Sequence, residues 1–143
     1  MSEHVLVPVD GSAPSRAALE YTLDRFPDGR LTALYVVDPM ADYSRQRAFP
    51  GYTADDEYLN EREKGEAILD SLRERISDDS FETVLEVGKP GRTIVAYAED
   101  HDADGIVVDN HSRDGAARYL LGSVAELVVR RADVPVTVVR GSD

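Results

Sequence analysis

The sequence predicts a doubly wound α/β fold, a five-stranded parallel sheet with helices on both faces. Three observations carry that expectation. Five short, β-branched apolar runs recur along the 143 residues. Helix-length segments with apolar residues at helical spacing lie between them. Several runs are apolar almost throughout, as in parallel strands buried on both faces. Strands alternating with helices imply right-handed crossovers and a parallel sheet.

The first strand is expected over 4–9 (HVLVPV). A helix over 13–26 follows, with Ser12 as its N-cap and Pro14 in its first turn. Its face is marked by Ala18, Tyr21, Thr22, Arg25 and Phe26. The second strand is expected over 31–37 (LTALYVV), followed by a flexible loop over about 38–56. Loops beyond ~12–15 residues are lids, binding loops or mobile flaps. The next helix, over 56–76, carries Ile68, Leu69, Leu72 and Ile76 as a stripe. Then come a strand over 82–87 (ETVLEV) and a helix over 91–101 behind Pro90, with Ile94, Val95 and Ala98. A strand over 105–108 (GIVV) leads to a helix over 118–131, marked by Leu120, Leu121, Val124, Leu127 and Val128. Arg130 and Arg131 suit the negative end of its dipole. The last strand is expected over 134–139 (VPVTVV). The length fits one domain over 1–143.

Composition narrows the function. Asp and Glu number 28 against 16 Lys and Arg, a net charge of −12. Such a surface repels nucleic acid and anionic membranes, so neither is an expected partner. The absence of Cys excludes disulfides, thiolate zinc sites and a Cys nucleophile. No run nears the ~18 apolar residues of a membrane span, and the first ten residues lack a signal-peptide pattern. A cytoplasmic protein is expected. Asp outnumbers Glu 17 to 11, and only Lys64 and Lys89 are lysines. Short carboxylates hold water, whereas long Lys stems present apolar surface. At ~1 M salt the Debye length is only ~3 Å, and the self-repulsion of such a surface largely disappears. The bias therefore points to a salty cytoplasm.

Ligands of doubly wound sheets bind beyond the carboxyl ends of the strands, where the strand order reverses. Asp10 follows the first strand, where its carboxylate can accept hydrogen bonds from a ligand hydroxyl or exocyclic amine. Gly11 permits a tight turn. The plain alternative is a carboxylate that only caps a helix. The second candidate begins Asp109-Asn110-His111-Ser112-Arg113 and reaches Gly122-Ser123-Val124. Its backbone N–H groups and Ser hydroxyl suit an anion. The plain alternative there is a loop with a Gly that lets helices pack closely. The P-loop, HExxH and GxSxG patterns are absent. No catalytic residue and no metal site are expected. His4 and His101 read as structural or surface groups, and the charges from Glu61 to Arg75 as a solvated helix face.

Five segments resemble the universal stress protein (UspA-like) family: Val5-Leu-Val-Pro-Val-Asp-Gly-Ser12, Tyr35-Val-Val-Asp38, Val87-Gly-Lys-Pro90, Leu120-Leu-Gly-Ser-Val-Ala-Glu126 and 131–140 (RADVPVTVVR). The resemblance covers essentially the whole chain. It implies a Rossmann-like sheet of the adenine nucleotide alpha hydrolase type, strand order 3-2-1-4-5, and a dimeric stress-response protein. The family's nucleotide binders carry Gly, two residues, Gly, nine residues, then Gly and Ser or Thr. Here those places fall on Asp109, Ser112 and Gly122-Ser123. By resemblance, Pro8, Val9, Asp10, Val36, Val37 and Val108 line the adenine and ribose end. His111, Ser112, Arg113, Gly122, Ser123 and Val124 hold the phosphate end. Asp109 adds charge beside a polyanion, a repulsion of ~4 kcal/mol at ~4 Å and an effective dielectric of ~20. ATP or AMP, with Mg²⁺ as a bridge, is therefore expected to bind weakly or not at all. The alternatives are a functional, slowly hydrolysing ATP binder and a non-nucleotide interaction module. A homodimer is expected through the C-terminal strand, with Val134, Val136, Val138 and Val139 at its interface.

Overall fold

The computed structural model describes residues 3–39, 54–110 and 121–140, with backbone alone at 54–59. The elements run β1 (His4–Pro8), α1 (Ala13–Arg25), β2 (Arg30–Val37), α2 (Ala54–Arg75), β3 (Phe81–Val87), α3 (Pro90–Asp100), β4 (Gly105–Asp109), α4 (Ser123–Arg131) and β5 (Val136–Val139). All strand pairs are parallel, in the order β3-β2-β1-β4-β5. Fold class and strand order are those expected.

Alternation along β1 explains its unbroken apolar sequence. Val5, Val7 and Val9 face α1 and α2, packing with Ala18, Leu19 and Leu69. Leu6 faces the other way, into a core with Ile94, Tyr97, Ala125 and Val128 of α3 and α4. Both faces of the central strands are thus covered, which leaves no position for a solvated side chain. Gly11 turns the chain from β1 into α1 with φ +84°. A Cβ there would lie 2.7 Å from Ile68 Cδ1, so a side chain at this position would have to displace the end of Ile68 as well as adopt a left-handed backbone.

Three expectations need correction. The face of α1 is formed by Ser15, Ala18, Leu19 and Thr22, while Tyr21 is 39% exposed. Small residues seat the helix closely, and the Thr22 hydroxyl donates to the Ala18 carbonyl at 2.8 Å instead of remaining unsatisfied. Helix α4 begins at Ser123, not at 118. Gly122 is its N-cap, and Leu121 stands outside the helix, 42% exposed. Strand β5 begins at Val136, so Val134 is not part of it. The Pro135 carbonyl accepts the Ile106 N–H at 3.0 Å, but Pro135 has no N–H with which to extend the pairing. Val134 packs instead against the core under α3 and α4. Most of the expected long loop, residues 40–53, lies outside the described residues, and α2 already begins at Ala54.

The amino edge of the sheet carries a polar chain across three strands. His4 Nε2 lies 2.9 Å from Thr32 Oγ1, and that hydroxyl donates to Glu82 Oε1 at 2.9 Å. Arg30 donates to the same carboxylate at 2.7 Å. A Thr hydroxyl has one proton, so Thr32 accepts from His4, which must carry its proton on Nε2. His4 Nδ1 is then a buried acceptor without a partner among the described residues.

Candidate functional site

Strands β1 and β4 are neighbours, but their connections leave on opposite faces, toward α1 and α4 respectively. In doubly wound sheets such a reversal is the place where ligands bind, beyond the carboxyl ends of the two strands. Asp10 and Asp109 both sit at this edge.

The β1–α1 turn is tied together locally. Asp10 Oδ1 accepts the Ser12 N–H at 2.9 Å. Ser12 Oγ accepts the Ser15 N–H at 3.2 Å, and Ser15 Oγ accepts the Asp10 N–H at 3.3 Å. Ser12 is the expected N-cap, with Pro14 in the first turn. Asp10 thus braces the turn ahead of the helix, while Ser12 caps the helix, and the Asp10 residue stays exposed at the carboxyl edge.

At the end of β4, Asn110 is the fastener. Its N–H donates to the Val139 carbonyl of β5 at 3.0 Å. Its side-chain oxygen accepts the Gly122 N–H at 3.0 Å. One residue thereby holds β4, β5 and the start of α4 together. Gly122, the N-cap, has no side chain with which to cap α4, and the first-turn N–H groups form the positive end of the helix dipole. Ser123 and Val124 are exposed there. The sequence placed Asn110 in the second candidate segment but did not reveal this bond, which joins positions twelve apart with no local pattern.

The remaining candidates divide by burial. Pro8 and Val36 are half-buried, whereas Val9, Val37 and Val108 are packed in the core and offer a ligand little more than an edge. His111, Ser112 and Arg113 lie outside the described residues. Tyr35, not expected at any site, donates its hydroxyl to Glu61 at 3.0 Å. Burial first, and then this carboxylate, push the Tyr35 pKa well above its ordinary value. Glu61 is therefore not simply part of a solvated helix face. Among the described residues no group of three or more His, Cys, Asp or Glu side chains is placed to hold a metal ion. None of the described helices is long and apolar enough to cross a membrane.

Residues 1–140 match the Universal stress protein family. The chain belongs to this family. A universal stress protein of Methanocaldococcus jannaschii is 32% identical over 144 residues, covering 95% of this chain and 81% of that protein. The structure of UspA from Lactobacillus plantarum superposes with a TM-score of 0.78 at 27% identity, covering 96% of this chain and 97% of that one. A universal stress protein crystallised in complex with cAMP superposes with a TM-score of 0.71 at 27% identity, covering 98% of each chain. In this universal stress protein Asp109 is half-buried at the end of β4, and Gly122 is buried with its N–H donated to Asn110.

Proposed function

We propose that this protein is a dimeric, cytoplasmic stress-response regulator of one domain that binds an adenine nucleotide weakly. The observation that carries the reading is the Asn110–Gly122 bond, which fixes the start of α4 beside the end of β4. A phosphate placed there meets helix N–H groups and the Ser123 hydroxyl, the physical basis of anion binding at helix N-termini. Asp10 would take the ribose or adenine end, and Asp109 would oppose the phosphates. The cAMP complex of a relative supports an adenine nucleotide as the ligand class. The described residues offer no protein-held metal cluster, so any Mg²⁺ arrives on the nucleotide's own phosphates. No residue is assigned a catalytic role.

Calorimetric titration with AMP and with ATP plus Mg²⁺, in molar KCl, tests this. ATP is expected to bind weakly, and the Asp109→Gly/Ser112→Gly variant at least about tenfold more tightly, well within the ~4 kcal/mol repulsion estimated above. If neither protein binds either nucleotide at millimolar concentration, the nucleotide reading fails. The interaction module would then be the better account, and the half-buried carboxylate at Asp109 already favours it.

The dimer would form along β5, whose Val136, Val138 and Val139 are half-buried at a sheet edge. An open apolar edge invites pairing with a second strand. The acidic surface fits molar salt. Gel filtration and thermal melting across a KCl series test these two points, with a dimer and a melting temperature that rises with salt as the expected results.

A further inference from the structure

Helices α1 and α2 lie on the same face of the sheet, yet they pack on the strands and hardly on each other. A cleft of about 260 Å³ separates them. Its floor is apolar, made by Val9, Leu19, Ile68 and Leu72. Ser15 is buried beside that floor, and the rim is polar, with Ser12 and Ser71 and two guanidinium groups, Arg16 from α1 and Arg75 from α2.

The rim is cationic in a chain of net charge −12. Arg30, Arg62, Arg73 and Arg130 are each held by a carboxylate. Neither Arg16 nor Arg75 has a side-chain partner among the described residues. The positive end of α1 opens beside them, since the cleft reaches its N-cap, Ser12. At the ~30 Å³ a water-sized group occupies in a liquid, the cleft holds about eight heavy atoms.

We propose that this cleft binds a small amphipathic anion, an apolar tail of about eight heavy atoms with one anionic head, a size set by the ~30 Å³ share per group. The tail lies on Leu19, Ile68 and Leu72, and the head meets the forks of Arg16 and Arg75, which match a carboxylate or phosphate. The site is separate from the nucleotide site. Val9 is its one residue in common with the expected nucleotide pocket, and Asp109, Gly122 and Ser123 are not on its lining.

The test uses the full chain in molar KCl, with octanoate as probe and octanol and acetate as controls, read by amide chemical shifts. Octanoate is expected to saturate at roughly millimolar concentration, with shifts confined to 9–19 and 67–75. Octanol and acetate, lacking head or tail, are expected to bind at least about threefold more weakly. Arg16→Gln and Arg75→Gln should each weaken octanoate about threefold, as solvent-exposed charge pairs do. Ser71→Trp, which fills the cleft from its exposed rim, should abolish binding. Equal binding of octanol and octanoate would overturn the anionic specificity. Shifts that map to 109–110 and 122–124, or competition by AMP, would overturn the separate site. Failure of AMP to bind at all leaves these outcomes intact, so the cleft and the nucleotide site stand or fall separately.

Discussion

The two edges of the sheet handle polar groups in opposite ways. At the amino edge, His4, Thr32, Glu82 and Arg30 form a chain of donors and acceptors across β1, β2 and β3. At the carboxyl edge, Asp10 and Asp109 end their strands, and α4 begins at a Gly N-cap. The first arrangement ties its polar groups to one another across the strands; the second places polar groups at the strand ends where doubly wound sheets take their ligands. The difference teaches which edge stabilises the fold and which can take a ligand. Substitutions at the amino edge should cost stability without touching ligand affinity, and those at the carboxyl edge should do the reverse.

The largest expected effect is from Thr32→Val, which keeps the shape and removes the hydroxyl. Thr32 is fully buried, and the change strands the His4 Nε2–H while Glu82 turns to water. The loss should be ~2–3 kcal/mol, the cost of an unsatisfied buried donor plus a broken bond. Chemical denaturation in molar KCl measures it. Nucleotide affinity of the folded variant should match that of the parent protein; a changed affinity would break the division between the edges.

His4 sharpens the same contrast through pH. Burial, and then Arg30, hold its pKa below 6.5, while the His101 backbone, Glu82 and Asp104 pull the other way. Above pH 6.5 the imidazole is neutral in both folded and unfolded chains, so its contribution to stability is complete. As pH falls below that value the unfolded chain takes the proton first, and stability declines until the folded pKa is reached. The decline is ~1.4 kcal/mol for each unit by which the pKa is lowered. The parent protein should therefore lose more stability than His4→Gln between about pH 7.5 and about pH 5.5. Parallel profiles would show that the buried ring is not what titrates.

How much of this was legible beforehand follows from the same physics. The central strands, buried on both faces, are apolar almost throughout, and the half-buried edge strands β3 and β5 still show as β-branched runs, so all five could be found in the sequence to within a residue or two. Their order could not, because periodicity says nothing of which strand lies beside which; it came with the family resemblance. The start of α4 was misplaced because Leu120 and Leu121 continue an apolar pattern that the structure ends at Gly122. The exposure of Tyr21 escaped notice because Ser15, Ala18 and Thr22, which make much of the true face of α1, are small residues with weak hydropathy. The polar chain at the amino edge depends on the register His4↔Arg30 and Thr32↔Glu82, which no local pattern encodes. Asp10 and Gly122 were visible as candidates, yet the bond by which Asn110 fixes Gly122 was not.

That residue supplies the smallest stability effect and the most direct challenge to the comparison. Asn110→Ala removes one half-buried bond, and the Gly122 N–H it frees lies at a helix terminus at the carboxyl edge. The cost should be only ~1 kcal/mol, the net value of a single hydrogen bond. Affinity for a nucleotide should fall further than that, because the start of α4 is no longer held against β4 and its N–H groups must be ordered by the ligand itself. Asn110→Asp keeps the acceptor but adds charge, so it should retain stability and still lose affinity. Calorimetry and denaturation on the two variants separate the roles. A protein in which Asn110→Ala loses several times the stability expected, with affinity intact, would make Asn110 the counterpart of Thr32, and the two edges would no longer differ in kind.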